Sequence, residues 1–487
     1  MRYSRLVPAL LVAAVAAGCS DLDITNPNTR TTETFWKNQS DAIQGINGVY
    51  NGLQLRGAYR RWLTFAYDVR SDIGHSPSPW PELNQFNKFT LASYDFEVNL
   101  ELYGHHYQAI FRANQAIANL PQVPMDAALR DQLVGEAKFI RGLLYFNLAN
   151  LYGSVPLILQ PSVSTDRPAS ASPAEVWAQV EKDFTEARAA LPVNRRVTGS
   201  ANRDAATAML GKAHLQQREW QAASQAFAEV VGSGRYTLAG NYADLFRNTG
   251  DNAPETVFEI QFGGPNTLSS GTGGLNIGQM IGPCGPSFCD ARPTEWYFQE
   301  FLKEPTAGGG TDPRLDATIF YNKPGGMDVF GQPFTQRYGT GSTDLFWKKY
   351  TEYYNGRSDW DADINFKVVR LGGLLLNHAE ALNEQGAPEQ ARPFVNMVRQ
   401  RAGLAPLPAG MSQAAMRAEI EHQTLLELGL EMERWLYLAR HNLLATDAVE
   451  AHDPTEFRFF VQGKSERLPI PNEETARNPN VPQNPGW

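Results

Sequence analysis

The stretch Leu210-Gly211-Lys212-Ala213-His214, closed by Ala222-Ala223-Ser224-Gln225-Ala226-Phe227, decides how this chain folds. Gly211, Ala223 and Phe227 stand at offsets of 0, 12 and 16 positions, and Ala379, Ala391 and Val395 repeat those offsets further on. Small residues at the first two places let paired helices approach closely, and the third fills the groove between them. A hairpin of this kind buries its apolar face only by stacking on neighbours. The chain supplies such neighbours. Amphipathic helical periodicity runs over about 39–56, 97–120, 127–151, 173–191, 202–216, 219–232, 369–385, 388–402 and 412–441.

The hairpin resembles the tetratricopeptide unit. The expected fold class is therefore mostly α, with tetratricopeptide-like helical repeats and a loop-rich part carrying short strands. That loop-rich part runs from residue 240 to 368, where glycine, proline, asparagine and aromatics predominate, as in Phe262-Gly263-Gly264-Pro265-Asn266 through Gly271-Thr272-Gly273-Gly274. Thr256-Val257-Phe258-Glu259-Ile260-Gln261-Phe262 reads as a strand within it. A second loop runs from Ser71 to Lys88. Loops this long on a rigid helical frame are a usual place for function.

The N-terminus places the protein. Arg2 and Arg5 precede an apolar run, Leu6 to Ala17, and Ala16-Ala17-Gly18 leads into Cys19. This is the layout of a secretory signal, and the run is too short to span a bilayer. A cysteine behind small residues looks like a lipoprotein lipobox, with Cys19 acylated (palmitate among the expected chains) once residues 1–18 are removed. Loss of Arg2 and Arg5 takes the formal charge from −9 to −11. An acidic chain without clustered Lys and Arg argues against nucleic acid. With Cys19 carrying lipid, Cys284 and Cys289 remain in one Gly/Pro-rich loop, where a disulfide is the expectation and a metal pair the weaker alternative.

Four signatures carry a family resemblance. One is Glu136-Ala137-Lys138-Phe139-Ile140-Arg141-Gly142-Leu143-Leu144-Tyr145-Phe146-Asn147-Leu148, followed by Leu151-Tyr152-Gly153-Ser154-Val155-Pro156-Leu157. The second runs from Arg370 through Ala379-Glu380-Ala381-Leu382-Asn383-Glu384 to Val398-Arg399-Gln400-Arg401-Ala402-Gly403-Leu404. The third is Glu433-Arg434-Trp435 with Leu438 and Arg440, and the fourth is the tail Leu468-Pro469-Ile470-Pro471 to Asn484-Pro485-Gly486-Trp487. In order and over essentially the whole mature chain, these resemble the SusD/RagB family of outer-membrane nutrient-binding lipoproteins. Gly372-Gly373 and Trp487 depart from the family's usual residues. The resemblance implies no catalytic activity, no cofactor, and a surface protein that captures a nutrient over a SusC-like TonB-dependent transporter. It also implies a lipid anchor in the outer membrane, facing the exterior. The chain divides accordingly into a signal (1–18), an N-terminal helical region with the Ser71–Lys88 loop (19–239), a loop-rich ligand-binding insertion (240–368), and a C-terminal helical region and tail (369–487).

Sugar binding needs aromatic faces for C–H surfaces and polar groups for hydroxyls. Trp80, held between Pro79 and Pro81, is the first candidate, with Asp72, His75 and Asn84 as hydrogen-bonding partners; the resemblance puts the family's ligand loop here. Trp296, rotated from the core pair Tyr297 and Phe301, and the loop residues Trp347 and Trp360 follow. Trp36, Trp177, Trp220 and Trp435 sit at helical apolar positions and read as core. Asp359, Asp361 and Asp363 alternate like the start of a calcium loop, but Ile364 and Arg370 stand where glycine and glutamate belong. A strand entering the next helix explains that spacing, so no metal is expected. No GxSxG, no Cys/His nucleophile and no zinc motif occurs. A helical scaffold that binds only proteins, and capture of a peptide in place of a glycan, are the alternatives. The acidic charge favours neutral ligands unless a local basic patch offsets it.

Overall fold

The computed structural model describes residues 35–263, 274–351 and 362–487. Cys19, Asp359, Trp360 and Asp361 lie outside the described residues. Nine longer helices dominate the described chain: α1 Gln39–Leu53, α2 Glu97–Asn119, α3 Ala127–Leu151, α4 Pro173–Ala190, α5 Arg203–Gln216, α6 Trp220–Val231, α7 Leu371–Glu384, α8 Pro388–Arg401 and α9 Gln413–Leu428. Their starts are chemically marked. Asn38, Asp126, Asn202 and Ser412 each accept a backbone N–H of the first turn, and Ser172 with Glu175 closes a reciprocal capping box on α4.

From α2 to α8 each helix packs on the next, and α9 returns against α7. The stack passes directly from α6 to α7 although 139 positions separate Val231 from Arg370 in sequence. The loop-rich segment is thus an excursion from one joint of an unbroken helical array. At the repeat positions the packing is as tight as the spacing requires. A methyl group on Gly211 would stand 2.6 Å from the Phe227 ring. Ala379, Ala391 and Val395 are fully buried in one cluster with Met416 and Ile420. Trp435 is buried, while Trp36, Trp177 and Trp220 lie partly buried against the core.

Strand β1, Thr256–Ile260, pairs antiparallel with β2, Phe366–Arg370, and β2 runs straight into α7. Periodicity over 412–441 predicts one helix, but the chain breaks after Leu428 and restarts as the short helix Arg434–Arg440. Leu430 and Met432 take φ of 62° and 65°, in the left-handed region. The break has a physical cause. Unwinding frees the carbonyls of Glu427 and Gly429 to accept from Arg370 Nη2 at 2.8 Å and Lys349 Nζ at 2.7 Å. It also brings the Met432 N–H to the buried Asp68 carboxylate. A Cβ at Gly429 would collide with the Tyr297 hydroxyl at 2.1 Å.

That junction is an ion network inside the protein. Arg370, 2% exposed, donates to Glu255 at 2.7 Å, to Glu427 at 2.6 Å and to both oxygens of Glu431. Arg314 and Arg401 also pair with Glu427. Burial alone pushes the Glu427 carboxyl up, but Arg401, Arg370 and Arg314 outweigh it and hold it far below the ordinary range. The departure Gly372 belongs here: a Cβ would lie 2.6 Å from Arg370 Nη1 and 2.8 Å from Glu427 Oε1. Trp487, the other departure, donates its indole N–H to the Arg467 carbonyl at 3.0 Å. Among the described residues, no helix is long and apolar enough to cross a membrane.

Candidate functional site

Trp80 stands at the start of a short helix, Pro81–Asn87, with Pro81 in the first turn where its missing N–H costs nothing. The Ser71–Lys88 stretch is therefore part loop and part helix. The Trp80 ring meets Phe96 edge to face, centroids 4.9 Å apart, and Trp62 at 6.4 Å. It stays partly exposed. Its backbone N–H donates to Ser78 Oγ, and that hydroxyl donates to Asp290 Oδ1 at 2.6 Å. Arg61 lies over the Trp62 ring at 5.0 Å and donates to Asn276 Oδ1 at 2.5 Å. Burial, with Arg56 and Arg60 nearby, lowers the Arg61 guanidinium to about 10, so it remains charged at neutral pH. Burial raises the Asp290 carboxyl, against Ser78 and Arg61. The Asn276 amide nitrogen, 2% exposed at residue level, finds no hydrogen-bond partner. Leaving such a group unpaired costs about 1–3 kcal/mol.

His75 and Asn84 belong to the same loop. His75 pairs through its backbone with Arg292, and burial, aided by Arg292 and Lys88, drops its imidazole to about 4, leaving it neutral at pH 7. Asn84 Nδ2 donates to the Ser76 carbonyl at 2.7 Å, which ties the helix back to the loop. Arg61, Ser78, Asn276 and Asp290 are buried residues supporting this surface that sequence reasoning missed. Arg60-Arg61-Trp62, two cations beside an aromatic within an apolar stretch, was the one local signal; Asp290 is brought to Ser78 only by the fold.

Two predicted residues are corrected. Asp72 is fully buried: Arg434 Nε and Nη2 each donate to it at 2.7 Å, and His452 Nδ1 lies 2.8 Å away. Burial raises its carboxyl, but Arg434 and His452 more than reverse this. With both oxygens engaged and no surface, Asp72 is a structural anion. Trp347 is likewise 0% exposed, tilted against Tyr297 in the core, because the Phe346–Trp347 strand pairs with Ile319–Phe320 beneath the loops. Trp296 is partly exposed but lays its ring on His452, centroids 3.6 Å apart and planes 7° from parallel. It thereby joins the Asp72–Arg434 cluster.

Cys284 and Cys289 are joined by a disulfide. Of the aspartates read as a calcium start, Asp363 alone is described; it borders a cavity between α1 and β1. The metal-capable triple among the described residues lies elsewhere, at Glu181, His214 and Glu219, where His214 Nδ1 is already 2.5 Å from Glu219.

Fold and surface together define a helical-repeat protein that carries an aromatic face where the Trp80 segment meets the inserted loops. Residues 254–487 match the SusD family, and residues 22–215 match a family described as starch-binding associating with outer membrane. The chain belongs to the SusD/RagB family. It is 27% identical to the SusD-like protein P38 of Formosa agariphila, over 91% of this chain and 92% of that one. A solved structure described as a laminarin-binding SusD-like protein is 27% identical, with a TM-score of 0.76 over 93% of this chain and all of that one. A SusD superfamily protein from Bacteroides vulgatus, 24% identical, shares the fold with a TM-score of 0.85 over 93% of this chain and 100% of its own.

Proposed function

We propose that the protein captures a glycan on the Trp80 face, without cleaving it, and delivers it to a SusC-like TonB-dependent outer-membrane transporter. The observation that carries this reading is the partly exposed Trp80 ring, wedged by Phe96 and Trp62, beside the buried Arg61–Asn276 pair. A pre-set aromatic face takes a pyranose C–H surface at little ordering cost. The partly exposed His75, neutral at pH 7, supplies a partner for hydroxyls. Membership of the family and the laminarin-binding relative support a carbohydrate ligand. Residues 240–368 form the ligand side and the helical stack docks the transporter. Acylated Cys19 anchors the chain to the outer membrane, facing outward.

Calorimetric titration of the chain from Ser20 tests this, using neutral β-glucan oligomers and a peptide panel, with each mixture checked for cleavage products. Saturable binding without products is expected, weakened by about 1–3 kcal/mol in Trp80→Ala. Cleavage products would mean an enzyme, and peptide-only binding a different cargo. Cys19→Ala should release the protein from membranes; its persistence there would remove the anchor.

A further inference from the structure

The loop-rich part holds a cavity of about 660 Å³ that shares no lining residue with the Trp80 face. That volume falls within the roughly 300–1,000 Å³ usual for small-molecule sites. Phe246, Phe320 and Phe330 form its apolar wall, while Arg247, Lys323 and Lys348 bring positive charge. Asp316 and Asp328 line it too, and Lys323 is paired with Asp316. The innermost lysine, Lys349, is committed to Glu431 at 2.6 Å.

Lys348 is different. Its backbone N–H donates to the Thr318 carbonyl at 2.8 Å, which fixes its position beside the Ile319–Phe320 strand. Lys348 is partly buried, and its ammonium forms no ion pair with a described residue and lies over the Phe320 ring at 5.2 Å. Burial lowers its pKa, with Arg247 and Lys323 adding to the fall and Asp316 and Asp328 opposing it.

Phe330 supplies an independent sign. It takes φ of 53°, ahead of Gly331 at 80°, in the tight turn joining Asp328–Val329 to Gln332–Pro333. Such turns favour asparagine or glycine there, and a bulky residue costs about 1–3 kcal/mol. The ring so placed stays partly exposed on the cavity wall, edge to face with Phe320 at 5.5 Å. A second large cavity among the described residues, about 530 Å³ between α1 and β1, shows no such surplus. Its Gln261, Asn365 and nearby Lys367 bond one another or Glu259.

We propose that the 660 Å³ cavity is a second carbohydrate site, selective for a sugar bearing a carboxylate or sulfate, with the anion on Lys348 and the sugar ring on Phe330. The choice of a sugar rests on the capture reading above; the choice of an anion rests on Lys348. Arg247 pairs with Asp244 and Lys323 with Asp316, so it is Lys348 that works against the repulsion expected from a chain of net charge −9.

Titration of the chain with a galacturonate trisaccharide, a sulfated trisaccharide and a neutral glucan hexasaccharide tests this. One anionic probe should bind, and the two anionic arms identify which group is taken. Lys348→Gln should weaken that binding about tenfold or more, Lys348→Arg should retain it, and neutral binding should not change. Raising salt from about 50 to about 500 mM should weaken the anionic probe selectively. Phe330→Asn, which suits the turn and should fold at least as well, should also lose anionic affinity and decides the matter if Lys348→Gln is poorly folded. Anionic probes that bind Lys348→Gln or Phe330→Asn as tightly as wild type overturn the site, as does neutral binding with no anionic binding; in both cases glycan capture stands. Failure of all three probes overturns capture as well.

Discussion

In the helical stack and its junction, Arg370, Arg434 and Arg440 are buried and each guanidinium is locked on carboxylates. In the inserted loops, Lys348 is half-buried with an aromatic ring as its contact, and Asn276 keeps an unpaired amide beside Arg61. The contrast separates two kinds of polar residue. The three arginines of the first region are held by carboxylates and define a single packing arrangement; Lys348 in the second holds bonding capacity that a ligand can use. The motif residues that mark the family, Arg370, Glu380, Glu433, Arg434 and Arg440, fall in the first region. That is why such motifs identify the fold and say little about the cargo.

The contrast is broken most severely at Arg370. Arg370→Met strands Glu255, Glu427 and Glu431 without their shared cation and should cost about 3–5 kcal/mol in urea unfolding. An unchanged midpoint would show that the network is not cooperative.

Acid attacks the same region. Burial raises the Glu380 carboxyl, but Arg440 and His441 overcome this and hold it at about 2, below its ordinary 4.5. A depressed carboxylate stabilises the fold fully above pH 4.5 and loses that contribution as pH falls toward 2. Its share is about 3 kcal/mol, measurable as a pH-dependent unfolding free energy that Glu380→Gln should flatten.

Gly211→Val probes the repeat contact alone. Overpacking against Phe227 should cost about 1–3 kcal/mol with glycan affinity unchanged. Trp80→Ala should do the reverse, weakening glycan binding by about 1–3 kcal/mol while moving the melting temperature least, because its ring is only partly buried. Equal losses of stability in both variants would erase the distinction between the two regions.

Much of the architecture was legible. The helix positions, the matched offsets at Gly211 and Ala379, the strand near Thr256 and the Cys284–Cys289 pairing are short-range features. Trp80 stands out in the sequence for the prolines on both sides, and its ring stays partly exposed. The readings of Asp72 and Trp347 went astray for one reason. Asp72 looks like a loop carboxylate until Arg434, 362 positions away, covers it, and Trp347 looks like a loop aromatic until the Ile319–Phe320 strand closes over it. The continuous periodicity of 412–441 likewise gives no sign that Arg370 and Lys349 draw the chain open at Gly429.

By itself the sequence determined the helical repeats, the family and the residues able to pair, because periodicity and spacing act over a few turns of chain. Tertiary structure alone decided which polar groups are mutually satisfied and which remain for a ligand. That outcome depends on partners hundreds of positions apart, such as Ser78 with Asp290 and Asp72 with Arg434, and on which of them the fold shuts away from water.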